Sequence, residues 1–247
     1  LGETLCLSDF VAKLFMEYTY LLINFFSLLV PFVLSFESRI AYYKKWKYLF
    51  PAMTATAVFF IVWDSIFTAN GVWGFNPKFV TGIYLYNLPV EEILFFFCIP
   101  YSSIFAYEAL GLLKVRPFDY AQGDNKSANY ITVGILVICI TGVILFHDKA
   151  YTFYTCLFLG IFLLLQLFWL KGNYLGRFYL AYLVILIPFT IVNGLLTGSW
   201  IGEPVVWYNN EENLAVRFLT IPVEDVFYGM LMLLMSVSIY EELKKKF

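Results

Sequence analysis

Seven apolar stretches, each close to the length needed to cross a bilayer, constrain this chain more than any other feature. They cover residues 18–36, 48–67, 88–111, 130–146, 151–169, 178–197 and 218–240. A hydrocarbon core about 30 Å thick needs roughly 20 apolar residues per helix. Inside it every backbone polar group must be satisfied within the segment, which favours helices. With 61% hydrophobic and 14% charged residues among 247, little remains for a soluble domain. The expected fold is all-α: a polytopic membrane helical bundle of about seven transmembrane helices. Only a tight His147-Asp148-Lys149 turn joins the fourth and fifth spans, which makes those two a close antiparallel pair.

Basic residues orient such a bundle. Arg39, Lys44, Lys45, Lys47, Lys114, Arg116, Lys126, Lys171, Arg177, Lys244, Lys245 and Lys246 fall on one side. Only Lys13, Lys78, Lys149 and Arg217 fall on the other. The asymmetry predicts a cytoplasmic C-terminus and an external N-terminus in a plasma or inner membrane. The N-terminus lacks a basic n-region and a small-residue cleavage site, so no signal peptide is expected. Residues 1–15 read as an extension, native or not, ahead of Met16. Cys98, Cys139 and Cys156 lie in apolar stretches and Cys6 in the extension, without metal or disulfide spacing. A net charge of −2 with no clustered basic face gives no reason to expect a nucleic-acid partner.

One phrase occurs twice, each time where a span begins: Leu88-Pro89-Val90-Glu91-Glu92 and Ile221-Pro222-Val223-Glu224-Asp225. An acidic charge in mid-helix costs roughly 2.5–3.5 kcal/mol on insertion scales, so two adjacent pairs call for a use. Tyr107-Glu108 and Tyr240-Glu241 stand at the same offset from the two phrases. Asp64-x-x-x-Thr68 precedes the first copy and Asn193-x-x-x-Thr197 the second. The simplest organisation is two parallel three-helix repeats, 16–111 and 151–247, joined by a linker and connector helix over 112–150.

Asp64, Glu91, Glu92, Asn193, Glu224 and Asp225 then lie at similar depth and could share one cleft. Acids after a Pro are also an ordinary helix start, favoured by the helix dipole. Neighbouring helix positions point about 100° apart, so only one of Glu91 and Glu92 can face a given cleft. Aromatic residues make up 21% of the chain. Near the acids Trp63, Phe67, Trp73, Phe95, Phe227 and Tyr228 could be interfacial and lipid-facing rings, or could line a pocket that stabilises a carbocation. No G-x-G-x-x-G follows a strand, which argues against a flavin or nicotinamide site. A single histidine, His147, leaves no His-rich metal centre, and no metal site is expected. No lysine lies inside the seventh span to form a retinal Schiff base.

Trp63-Asp64-x-x-Phe67-Thr68-x-x-Gly71-Val72-Trp73-Gly74-Phe75-Asn76-Pro77, followed by Leu88-Pro89-Val90-Glu91-Glu92 and Pro100-Tyr101, resembles the small membrane-integral lycopene cyclases. These occur as two polypeptides in some actinobacteria and as fused repeats in archaea, other bacteria and fungi. The likeness runs from about Met16 to Glu242, without the phytoene-synthase partner domain of the fungal forms. Asn193 departs from the aspartate of the first repeat. The resemblance implies an isomerase of the intramolecular lyase type, a lycopene β-cyclase of carotenoid biosynthesis. Lycopene would become γ-carotene and then β-carotene, with no cofactor chemically required. It implies Glu91 or Glu92 as acid, Glu224 or Asp225 as base or relay, and Asp64 as their orienting or proton-sharing partner. Trp63, Phe67, Thr68, Trp73, Phe95, Asn193, Thr197, Phe227 and Tyr228 would contact substrate. The expected partners are the polyene and the lipid bilayer, with homo-oligomers or association with other carotenoid enzymes left open. A cyclase or hydratase for another end group, such as a C50 carotenoid, and a proton-coupled transporter are the alternatives.

Overall fold

Residues 16–112, 126–170 and 172–246 are described by the computed structural model. The extension 1–15, and Lys13, Lys114, Arg116 and Lys171 of the basic residues counted above, lie outside them. Seven α-helices run through the described residues: α1 (Thr19–Leu34), α2 (Trp46–Ala69), α3 (Val90–Leu112), α4 (Lys126–Leu145), α5 (Ala150–Leu165), α6 (Leu175–Thr197) and α7 (Val223–Lys246). The last six, α5 with its π-helical extension Gln166–Leu170, are long and apolar enough to cross a membrane. α1 has 16 residues and is shorter. The expected bundle is present, and its mean helix positions follow the apolar stretches. The seventh helix begins at Val223 rather than near residue 218, because 217–222 form part of a strand pair instead.

Three two-stranded ribbons connect helices at one end of the bundle, an addition to the all-helical expectation. β1 (Trp73–Phe75) pairs antiparallel with β4 (Val206–Tyr208). β2 (Tyr84–Leu85) pairs with β3 (Leu88–Pro89), and β5 (Arg217–Phe218) with β6 (Ile221–Pro222). Gly74 lets β1 and β4 close up, since an added Cβ would lie 2.7 Å from Cε2 of Trp207. In both turns before α3 and α7 a non-glycine residue, Tyr86 or Leu219, takes the left-handed conformation at φ 56°.

α3 and α7 occupy the centre. α1 packs on α3 and α5 on α7, while α2 also packs on α7 and α6 on α3, so each half supports the other. Lipid-immersed helices gain little from the hydrophobic effect and rely on close packing and polar contacts. Gly142 and Gly160 provide that closeness between α4 and α5. They face Cys156 and Cys139, which are buried packing residues.

At the end away from the ribbons the halves exchange polar contacts. Tyr107 donates to Glu241 and Tyr240 donates to Glu108, each at 2.9 Å. Lys45 and Lys244 pair with Glu108, and Arg177 pairs with Glu241. Polar groups therefore occupy both ends of the bundle, not one end alone. Here they are locked in ion pairs, whereas Asp64, Glu91, Glu92, Glu224 and Asp225 at the ribbon end form no ion pair among the described residues.

Candidate active site

The two repeated phrases adopt one local structure. Val90 N–H donates to the Ile83 carbonyl at 2.9 Å, and Val223 N–H to the Val216 carbonyl at 3.0 Å. Glu91 Oε1 accepts the Thr81 N–H at 2.8 Å, and Glu224 Oε1 accepts the Leu214 N–H at 2.8 Å. Thr152 also donates to Glu224 Oε1 at 2.6 Å. The first acid of each pair thus fastens the preceding loop to its own helix. About 100° further round the helix, the second acid points another way.

Between the halves lies a cavity of about 60 Å³ lined by Asp64, Glu92, Trp73, Phe95, Asn193, Thr197 and Tyr228, among others. Glu92 Oε2 accepts the Tyr20 hydroxyl at 2.5 Å. Asp64 Oδ1 accepts the Trp73 indole N–H. Asp64 is 2% exposed and Glu92 9%, so both meet little besides this cavity and the protein. Asp225 stands one layer behind the wall. Its Oδ1 accepts from Tyr151 at 2.6 Å, and its Oδ2 from Tyr208 at 3.1 Å and Asn193 at 3.4 Å. Those three donors line the cavity, whereas Asp225 does not. Tyr208 lies in the connecting ribbon. Burial and the neighbouring Asp225 carboxylate hold its phenol well above the usual range, so it remains an O–H donor.

Aromatic faces surround the acids. Trp73 meets Tyr151 edge-on at 5.0 Å and Tyr228 at 6.0 Å between ring centroids, and Tyr151 stacks on Tyr208 at 5.8 Å. Such faces attract a cation within about 6 Å of the ring centre. Trp63 and Phe67 stand outside this first ring. Trp63 packs on Tyr228 at 5.1 Å and Phe67 on Trp73 at 4.9 Å. Thr68 follows Asp64 by one turn of α2, and Phe227 packs against the main core; neither lines the cavity. Sequence reasoning had not singled out Tyr20, Tyr151 or Tyr208. A signal did exist for two of them: Tyr20 and Tyr151 stand at nearly the repeat offset, at the heads of α1 and α5.

The lycopene cyclase family model matches residues 17–110 and 148–243. The chain belongs to the lycopene cyclase family. It is also 28% identical over 96 residues to a bifunctional lycopene cyclase/phytoene synthase of Aspergillus oryzae. That alignment covers 39% of this chain and 16% of the fungal protein. No solved structure gives a significant match. The two matched segments each contain one copy of the repeated phrase.

Proposed function

We propose that this cyclase is a lycopene β-cyclase, an intramolecular lyase that closes the ends of lycopene into β-rings. The observation that carries the reading is one small chamber walled by two buried carboxyl groups and aromatic faces, with no ion pair to either carboxyl among the described residues. Cyclisation needs an acid, a base and shelter for a carbocation, and neither gains nor loses atoms. A carboxyl proton adds to C2 of the terminal alkene and leaves a cation at C1. The C5=C6 pair attacks C1, forming the C1–C6 bond and a cation at C5. Loss of the C6 proton to a carboxylate restores the C5=C6 double bond.

Hydrogen bonding suggests the division of labour. Trp73 N–H can only donate, which favours Asp64 as the carboxylate that accepts the C6 proton. Tyr20 O–H can donate or accept, which lets Glu92 start as the neutral acid and then stabilises the carboxylate it becomes. Asp64 then loses that proton to solvent and Glu92 takes one up from solvent, which resets the pair. Asp225 acts through Tyr151 and Tyr208, fixing their hydroxyls and adding a negative charge near the developing cation. Glu91 and Glu224 position the loops. Residues 16–111 and 151–247 serve as two copies of one three-helix unit, with 112–150 linking them. The C-terminus faces the cytoplasm of a cell whose plasma or inner membrane holds the bundle.

The reaction has no redox change, so it calls for neither flavin nor nicotinamide. Purified protein turning over lycopene in deuterated water is expected to place one solvent deuterium at C2 of each new ring. Rings carrying no solvent-derived hydrogen, or strict dependence on a reduced cofactor, would refute the mechanism. A carotenoid of another chain length cyclised in preference to lycopene would shift the substrate and keep the chemistry.

A further inference from the structure

A second cavity, about 1170 Å³ and overwhelmingly apolar, runs beside the acid chamber between α1, α3, α6 and α7. Phe95 and Asn193 line both spaces and form the wall where they meet. Along α3 the large cavity follows the helix from Phe95 to Leu110. Fifteen residues at 1.5 Å each make it about 22 Å long. Its rim is open to the lipid side: Phe26 and Val30 on α1, and Ile191 on α6, are 63%, 60% and 53% exposed.

The corresponding space in the other half is filled. Phe158 of α5 packs against Phe59 at 5.5 Å and Trp63 at 4.9 Å, and Tyr154 packs against Phe67 at 5.7 Å. The acid chamber therefore has an apolar approach on the α1–α6 side, and aromatic rings close the α2–α5 side. The chamber's 60 Å³ has room for only a few waters at about 10–15 Å³ each. A branched hydrocarbon end group does not fit beside them unless the wall yields. Phe95 is the partly buried ring in that wall, tilted against Tyr20 at 6.3 Å and edge-on to Phe96 at 6.0 Å.

We infer that the large cavity is the binding groove for the polyene tail, reached sideways from the lipid between α1 and α6, and that Phe95 swings to admit one end group at a time. This inference takes the polyene substrate from the reading given above. The occupant is a polyene rather than a lipid acyl chain because the groove leads to the carboxyl groups and ends there.

The test uses the full chain expressed in lycopene-accumulating bacteria, with bound pigment measured after purification in detergent. Glu92→Gln is expected to retain lycopene, because it binds substrate without protonating it. Adding Ala106→Trp, or separately Ala109→Trp, places an indole in the groove and is expected to reduce the bound pigment at least tenfold. In the otherwise unmodified enzyme the same substitutions are expected to slow cyclisation at least tenfold. Ile187→Trp, on the lipid face of α6, is expected to change neither. Thermal midpoints within a few degrees of the parent show which variants are folded, and the two groove positions guard against one misfolded protein. Full pigment in both folded groove variants, a Glu92→Gln protein that binds phospholipid and no lycopene, or unchanged cyclisation overturns the groove. Pigment bound and lost as expected, by a wild-type protein that forms no ring, would instead overturn the cyclase reading and leave the groove standing.

Discussion

Glu91 and Glu92 are adjacent in sequence and are expected to answer differently to the same substitution. Glu91 is fully buried, and its Oε1 holds the Thr81 N–H at 2.8 Å. In Glu91→Gln the amide oxygen keeps that bond, while the new NH₂ takes the place of Oε2, which has no partner. A buried unpaired donor costs about 1–3 kcal/mol. The expectation is a lower thermal midpoint with nearly normal cyclisation per folded molecule. Glu92→Gln keeps side-chain size, and the amide oxygen can still accept from Tyr20, so stability changes little. Its loss is the transferable proton. General acid catalysis is worth about 10²–10⁴-fold, or roughly 3–5 kcal/mol of barrier at 1.36 kcal/mol per tenfold. Both variants can be expressed in lycopene-accumulating bacteria, with cyclic pigment measured by chromatography and divided by folded protein. Glu92→Gln at normal rates, with Glu91→Gln inactive yet stable, would refute the assignment of the chamber acid. Normal rates in both variants and in Asp64→Asn would reduce all these carboxyl groups to structural roles.

Gly74→Ala is expected to lower the thermal midpoint, because the new methyl would meet the Trp207 ring and overpacking costs about 1–3 kcal/mol. A midpoint equal to wild type would show that β1 and β4 can separate freely. A reporter fused after Phe247 is expected to be active only in the cytoplasm, since the basic residues of the described chain gather at the end opposite the chamber. An external reporter would invert the bundle and place the acids toward the cytoplasm.

The helices were legible because bilayer thickness imposes a length and composition that a sequence displays directly. Their pairing was not. Two copies of a three-helix unit could each have packed as a separate bundle. Instead α2 also rests on α7 and α6 on α3, which puts Asp64 beside residues from the other half. The acids were legible as a set, since the repeated phrase marks them, but their individual stations depend on rotation about α3 and α7. That rotation is fixed by the loop hydrogen bonds of Glu91 and Glu224, which no spacing rule reports. The tyrosines escaped notice for a related reason. In a chain where one residue in five is aromatic, Tyr20 and Tyr151 look like interfacial residues until their hydroxyls are seen on Glu92 and Asp225.

Under the proposed mechanism, Asn193 accounts for how two similar halves would serve a reaction that uses two different carboxyl groups. At the corresponding place on α2, Asp64 faces the chamber with an indole donor on one oxygen. Asn193 brings an amide donor instead, aimed at Asp225 together with Tyr151 and Tyr208. One half therefore gathers three donors around a single carboxyl group behind the wall. The other half leaves two carboxyl groups at the wall itself, with one donor each. A symmetric chamber would place four acids around a cation and give none of them a reason to keep a proton. Asn193 in place of an acid leaves one carboxyl group fewer and donates to another, and Glu92 and Asp64 are the carboxyl groups that remain at the chamber wall, where the proposed mechanism uses them as acid and base.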